Sequence, residues 1–384
     1  MNSKEYFFHP TICPVPWTGL YLGPSGDIRN CSISGRELGN INDAPIDTIL
    51  NSIENQTLKT DLLNKVKNND CTACWQMESL QENSNKNTSN RSHFKKTIKI
   101  PLSIFNSPTN YELKQVDLRW KNSCNLACVY CNSDLSSSWA AELNQTVTID
   151  ESALLAFKNY IFSRIKEIQY VYLCGGEPLL MKENLELIQL IKKENPDIYI
   201  RVNTNLTNIN SPIYASLLEC KNVHWIISVE STKEYFEYIR YGAKWDSWFK
   251  NLTQLNATVI PLGHKITFNM VWCSLTAFEI FNTIDLLMSS GFHENSFIVQ
   301  PLTDPESLLL DHLTPKIIDE LKTELNKRLL AASEHFLLSK NYQVMLTHLN
   351  SLSSDRNPTI LKEYLLELDS RRFTNGVDLF SNLV

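Results

Sequence analysis

The 384 residues predict an α/β fold: parallel strands covered by helices, preceded by a small cysteine-bearing module and followed by a helical tail. Three observations carry this. From about residue 113 onward, short β-rich runs alternate with helical runs. The ten cysteines are not scattered, because three stand within eight residues at Cys124, Cys128 and Cys131, and four more lie before residue 75. After residue 305 the pattern turns purely helical.

In chain order, "WTGLYLGPSGDIRNCS" reads as a hairpin. Its first arm runs from Thr18 to Leu22, Gly23, Pro24 and Gly26 make the turn, and Ile28 begins the return. "APIDTILNSIEN" predicts a short helix with Pro45 at its first position, and "TLKTDLLNKVKNND" a second helix ending before Cys71. Residues 81–92, "QENSNKNTSNRS", are polar and aperiodic and read as an exposed connector. "LKQVDLRW" is strand-like and leads directly into the three-cysteine loop. Further strands are expected in "IQYVYLC", "DIYIRVNTNL", "NVHWIISVES", "HKITFNMVWC" and "NSFIVQPL". Helices are expected between them, with Leu154, Phe157, Ile161 and Ile165 along the apolar face of the first. "TPKIIDELKTELNKRLL" opens the tail, with Thr314 as N-cap. The expected division is a module over 1–80, a linker over 81–112, the α/β region over 113–305 and a helical extension over 306–384.

Composition narrows the function classes. Hydrophobic residues make up 43% and charged residues 20%, as in ordinary globular proteins. A formal net charge of −6 argues against nucleic acid as the main partner. No apolar run approaches the roughly 18 residues of a membrane span, and no cationic, apolar export segment opens the chain. A cytoplasmic protein without nucleic-acid or membrane partners is the expectation. Cytosolic disulfides rarely persist, so cysteine clusters there point to metal chemistry. Solitary Cys174, Cys220 and Cys273 read as small buried apolar groups.

Polar residues gather where predicted strands end, which is where parallel α/β folds place reactive groups. The three cysteines follow the first strand, "GGEP" the second, "NTN" the third and "SVES" the fourth. Three thiolates in one loop can hold a metal ion or an iron–sulfur cluster. A four-iron cluster held at three corners keeps one iron open. Zinc is the alternative and needs a fourth ligand from elsewhere; the nearest histidine in sequence, His93, lies in the presumed linker.

Cys-x3-Cys-x2-Cys after a first strand, with Tyr130 before the last cysteine, resembles the radical S-adenosylmethionine (SAM) enzymes. "LCGGEP", "VNTNL", "IISVES" and "FEYIRYGAKWDSWFKNLTQL" extend the likeness over roughly residues 113–302. The resemblance implies a partial, open (β/α)6 barrel. It also implies that Cys124, Cys128 and Cys131 hold a [4Fe–4S] cluster whose open iron chelates SAM. Tyr130, Gly175, Gly176, Glu177, Asn203, Ser228, Glu230 and Arg240 would then contact SAM. Within that set, Gly175, Gly176 and Glu177 match the amino-group motif, Ser228 and Glu230 fall near the ribose, and Arg240 approaches the carboxylate. One electron would split SAM into methionine and a 5′-deoxyadenosyl radical, which abstracts hydrogen from a substrate.

Cys13, Cys31, Cys71 and Cys74 form a closed set of four. Structural zinc and a second cluster both satisfy that count. The pattern resembles the twitch form of the SPASM domain, here ahead of the barrel instead of behind it, which implies an auxiliary [4Fe–4S] cluster acting as electron acceptor or relay. The implied function is a radical SAM oxidoreductase or maturase served by a one-electron reductant such as flavodoxin or ferredoxin. A peptide is the favoured substrate, since the connector and tail add surface beyond a minimal barrel. An amino-sugar or cyclitol is the alternative, favoured by the lack of an evident leader-binding domain. A non-catalytic iron–sulfur or zinc protein is the rival from another class.

Overall fold

The described residues form nine strands, the first three in succession and the others alternating with helices: β1 (Gly19–Leu22), β2 (Asp27–Arg29), β3 (Gly39–Asn40), β4 (Gln115–Leu118), β5 (Tyr170–Leu173), β6 (Tyr199–Thr204), β7 (Val223–Ser228), β8 (Lys265–Trp272) and β9 (Phe297–Pro301). They belong to a computed structural model that describes residues 2–79, 89–332, 337–352 and 357–383. Residues 81–88 of the expected connector lie outside the described residues. By contact density the chain falls into two units. The first comprises Met1–Ser123, Ser133–Val202 and Asn210–Val223. The second comprises Cys124–Asn132, Asn203–Ile209 and His224–Val384.

In the first unit the strand order is β3-β2-β1-β4-β5-β6. The expected hairpin forms, with Tyr21 opposite Arg29 and Leu22 opposite Ile28. Gly26 closes its turn at φ 92°, a left-handed conformation that glycine adopts without steric cost. β1 also runs parallel to β4, Leu20 beside Val116 and Leu22 beside Leu118, so the hairpin extends the sheet that leads into the cysteine loop. β4–β5 and β5–β6 are parallel as well. Parallel strands need crossovers, and helices Glu151–Ser163 and Lys182–Glu194 lie on those connections. Leu154, Phe157 and Ile161 are the buried stripe of the first helix; Ile165 is buried just beyond its end.

Two helices in the amino-terminal residues divide differently from the sequence expectation. Ile46–Leu50 stops early, and Ile53–Leu63 starts at Ser52, whose hydroxyl accepts from the Asn55 N–H. That cap satisfies a free helix-end donor, and it moves the break to Asn51–Ser52. Pro45 is the N-cap of the first helix and not its first helical residue. Asn90–Thr97 is a helix inside the stretch expected as a connector, started by Ser89, which accepts from the Ser92 N–H. Tyr6, Ile12, Cys13, Val15, Trp17, Leu58, Leu62, Trp75, Ile104 and Phe105 form one buried cluster. Each large apolar side chain in it contributes roughly 1.5–3 kcal/mol by leaving water.

The second unit carries β7-β8-β9 in that order, all parallel, with Ile227 beside Phe268 and Val299 beside Met270. Helices Lys233–Ile239 and Trp245–Val259 are separated by a turn in which Gly242 takes φ 101°. Glu279–Ser289 ends before Gly291, at φ 95°. The tail is helical at Pro315–Ala331, Leu337–Ser351 and Pro358–Arg372, and Thr314 caps the first through the Ile317 N–H. Among the described residues, no helix is long and apolar enough to cross a membrane.

Candidate functional site

The three-cysteine loop is an irregular segment held by its backbone. Ala127 N–H donates to the Tyr241 carbonyl at 2.9 Å, Val129 N–H to the Ile239 carbonyl at 2.8 Å, and Cys131 N–H to the Cys128 carbonyl at 2.9 Å. Tyr364, from the last long helix, donates its hydroxyl proton to the Val129 carbonyl at 2.6 Å. Leu126, Ala127 and Val129 are buried, whereas Cys124, Cys128 and Cys131 are only half-buried. The apolar residues thus anchor the loop and leave the thiols at its accessible side. Burial pushes the Cys131 thiol up to about 12, with the neighbouring Cys128 adding to it. Cys128 is also raised by burial, opposed by the Arg240 guanidinium.

Arg240 and Glu230 form a buried two-pronged pair. Arg240 Nε reaches Glu230 Oε2 at 2.7 Å and Nη2 reaches Oε1 at 2.8 Å. Tyr130 donates to Glu230 Oε1 at 2.6 Å, and Arg240 Nη1 stands 3.9 Å from Cys128 Sγ. Glu230 is fully buried and Arg240 is 4% exposed, so the charges offset each other in a site that water does not screen. Burial first, and the Glu230 carboxylate next to it, keep the Tyr130 phenol protonated far above its ordinary range. Ser228 Oγ lies 3.4 Å from Asn203 Oδ1. Asn205, directly after β6, donates to Asn125 Oδ1 at 3.1 Å and stands 4.0 Å from Cys124 Sγ.

Gly175–Glu177 follows β5 in the first unit. Gly175 takes φ 104°. A Cβ on Gly176 would sit 2.2 Å from the Ser123 carbonyl oxygen, so only glycine lets the turn pass against the residues leading into the cysteine loop. Glu177 N–H donates to that same carbonyl at 2.7 Å. The Glu177 side chain is fully buried and accepts from the Leu179 N–H at 3.0 Å.

Cys13, Cys31, Cys71 and Cys74 line one cavity of the first unit, with Val15, Pro16, Leu58, Trp75, Asp70 and Arg91. Burial raises the Cys13 thiol well above its ordinary value, and the Cys74, Cys71 and Cys31 thiols raise it further. Cys31 and Cys71 are each pushed to about 12, chiefly by burial. Four soft donors facing one enclosed space are a donor set that fits a thiolate-ligated metal group. Among the described residues, no three His, Cys, Asp or Glu side chains are drawn together around a single ion. A four-iron cluster takes each thiolate on a separate iron and does not ask for that convergence.

Several polar residues at the strands escaped the sequence reading. Tyr21, Asp117, Tyr172 and Arg201 occupy one register row across β1, β4, β5 and β6. Asp117 meets Arg119 Nε at 3.5 Å, and Arg201 donates to the Tyr170 hydroxyl at 3.1 Å. Burial raises the Asp117 carboxyl, with Arg119 opposing. Their period-2 spacing is visible in the sequence, but only register shows that they share a row. Arg91 and Lys95 were missed for another reason: they sit in the segment whose composition reads as a connector.

Comparison with known proteins follows the same lines. The radical SAM superfamily model matches residues 120–287, and the SPASM iron–sulfur cluster-binding domain model matches residues 13–75. A probable GTP 3′,8-cyclase of Methanocaldococcus jannaschii is 27% identical over 138 residues, 30% of this chain and 44% of that protein. A solved structure of anSMEcpe with bound AdoMet aligns with a TM-score of 0.42 at 20% identity, covering 57% of this chain and 58% of that one. Streptococcus suis SuiB bound to S-adenosylmethionine aligns with a TM-score of 0.39 at 15% identity, covering 71% and 63%. The chain therefore spans less than half of the curated relative and less than two thirds of these structures. Residues 120–287 carry a radical SAM domain. Residues 13–75 carry a SPASM-type iron–sulfur domain. The first domain implies a [4Fe–4S] cluster and SAM, and the second implies further iron–sulfur.

Proposed function

We propose that this chain is a radical SAM maturase that oxidises or cross-links a peptide. The observation that carries the radical chemistry is the anchored loop presenting three thiols, Cys124, Cys128 and Cys131, with no fourth cysteine in it. These residues would hold a [4Fe–4S] cluster at three of its irons. When bound, the cluster and SAM supply a 5′-deoxyadenosyl radical that removes a hydrogen atom from the substrate. Arg240, beside Cys128, would offset negative charge there. Tyr130, Glu230 and Arg240, already locked by hydrogen bonds, would offer SAM a preformed polar wall, with Asn203 and Ser228 as neighbouring donors and acceptors. Gly175 and Gly176 would give the backbone its close approach, and Glu177 would hold that turn through its cap on Leu179. Cys13, Cys31, Cys71 and Cys74 would hold the auxiliary cluster, where all four ligands come from protein and electrons can pass but substrate cannot bind metal. A flavodoxin- or ferredoxin-type reductant would supply the first electron.

The peptide is supported by the helical tail, which reaches the cysteine loop through Tyr364 and so adds protein surface beside the chemistry. A second reading, a compact polar substrate such as an amino-sugar or cyclitol, is supported by the Asp117, Tyr172 and Arg201 row, whose opposite charges suit a small ligand with both donors and acceptors. The test is anaerobic. Reconstituted, reduced protein is incubated with SAM, and 5′-deoxyadenosine is measured by chromatography. Product is expected; none from fully iron-loaded protein overturns the radical reading. Adding a candidate precursor peptide in one arm and an amino-sugar in the other then separates the substrates by which one is consumed.

A further inference from the structure

Helix Asn90–Thr97 lies beyond the residues matched by the SPASM domain, yet it faces the four-cysteine cavity. Arg91 is 9% exposed and lines that cavity. It donates through Nη1 to the His9 and Ile12 carbonyls at 3.2 Å, the second of these adjoining Cys13. Its Nε reaches Glu78 at 2.9 Å, on the helix that carries Cys74. Its guanidinium also lies 5.2 Å from the Trp75 ring. Arg91 therefore ties together two of the segments that carry the thiols, and Glu78 offsets its charge.

Lys95, one turn later, differs. It is 7% exposed and donates to the His9 carbonyl at 3.0 Å, with its ammonium 5.6 Å from the Tyr6 ring. Among the described residues, no carboxylate lies within ion-pair distance of it. It shares the His9 carbonyl with Arg91, which lines the cavity, so both cations stand beside the segment that carries Cys13. A buried ammonium without a paired carboxylate is costly, so its retention calls for a compensating anion. Four thiolates carrying a cluster are such an anion, and one-electron reduction adds further negative charge to it.

We propose that Lys95 is a positioning residue for charge: it offsets the anionic four-cysteine group and raises that group's reduction potential. The proposal rests on the reading of Cys13, Cys31, Cys71 and Cys74 as cluster ligands. Charge near a cluster and its exposure are among the terms that set its potential.

The test uses the full chain with Cys124, Cys128 and Cys131 all replaced by Ala, so that only the auxiliary cluster contributes. Iron per chain is counted, and the potential is read by EPR-monitored redox titration. Lys95→Met is expected to lower the reduced-to-oxidised ratio at fixed potential about tenfold, a shift of about 59 mV for one electron. Lys95→Arg is expected to stay near the parent. A loaded Lys95→Met protein with unchanged potential overturns the proposal. Should Lys95→Met fail to take up iron, loading of Lys95→Arg supports the need for charge, and failure of both overturns it. Zinc in place of iron in the parent protein refutes the cluster reading itself, and the Lys95 proposal with it, by a result distinct from an unmoved potential.

Discussion

The two cysteine sets are built by opposite means. The three-cysteine loop is held by its backbone: three N–H bonds and the Tyr364 hydroxyl fix the path, apolar residues anchor it, and the thiols stay half-buried. The four-cysteine set is held by a shared cavity, with Cys13 and Cys74 buried and Cys31 and Cys71 half-buried, Trp17, Trp75 and Leu58 in the adjoining apolar cluster, and a helix carrying Arg91 and Lys95 on its flank. Charge is handled differently too. Near the loop, Arg240 is already paired with Glu230, so what remains is a directed network. Around the cavity, Lys95 has no such carboxylate among the described residues. On the proposed reading, the site that admits a small molecule keeps its charges aimed, and the one that only exchanges electrons seals its cation, Lys95, from water.

The sharpest way to break this contrast is to remove one thiol from each set. Cys128→Ala is expected to bring 5′-deoxyadenosine formation to background, because the remaining two loop thiols cannot hold a cluster with one open iron. Cys71→Ala is expected to lose the auxiliary iron while SAM cleavage persists at least in part. Total loss of cleavage in Cys71→Ala, with the loop site still loaded, would show that the sets do not divide the work.

Much of the α/β order was legible, because short continuous apolar runs such as Tyr170–Leu173 and helical stripes such as Leu154, Phe157 and Ile161 are local signals. The radical SAM domain, too, was legible from the cysteine loop and "GGEP", whose spacing is sequence-borne. Asn90–Thr97 was not: its residues are polar, and Arg91 and Lys95 are buried by partners some 80 residues earlier in the chain, His9 and Ile12. Nor could spacing tell that Glu230 and Arg240 bond to each other, since a ten-residue separation across a strand end and a helix has no fixed geometry. The same holds for β1 running parallel to β4, a pairing between segments about 95 residues apart.

The next largest effect is expected at the paired charges. Glu230→Ala leaves a buried guanidinium without its carboxylate, a loss of about 3–5 kcal/mol where one partner of a buried pair is removed. The urea midpoint should fall accordingly, and Glu230→Gln, which keeps an acceptor for Arg240 and Tyr130, should fall less. Equal stability in Glu230→Ala and the parent would mean that Arg240 escapes to water, and the contrast between aimed and sealed charges would lose its first half.

Tyr364→Phe should give the smallest effect and the most specific one. The substitution removes a single hydroxyl that donates to the Val129 carbonyl, in the middle of the cysteine loop, and leaves the ring in place. A neutral hydrogen bond of this kind is worth about 0.5–1.5 kcal/mol, so global unfolding should shift only slightly. Its consequence should appear locally. With Val129 anchored by one bond instead of two, amide exchange at Val129 should quicken, while exchange in helix Thr72–Ser79 beside the four-cysteine cavity stays unchanged. Backbone anchoring predicts that asymmetry. If protection falls equally in both places, Tyr364 acts on the fold as a whole, and the loop owes its shape to packing in the same way the cavity does.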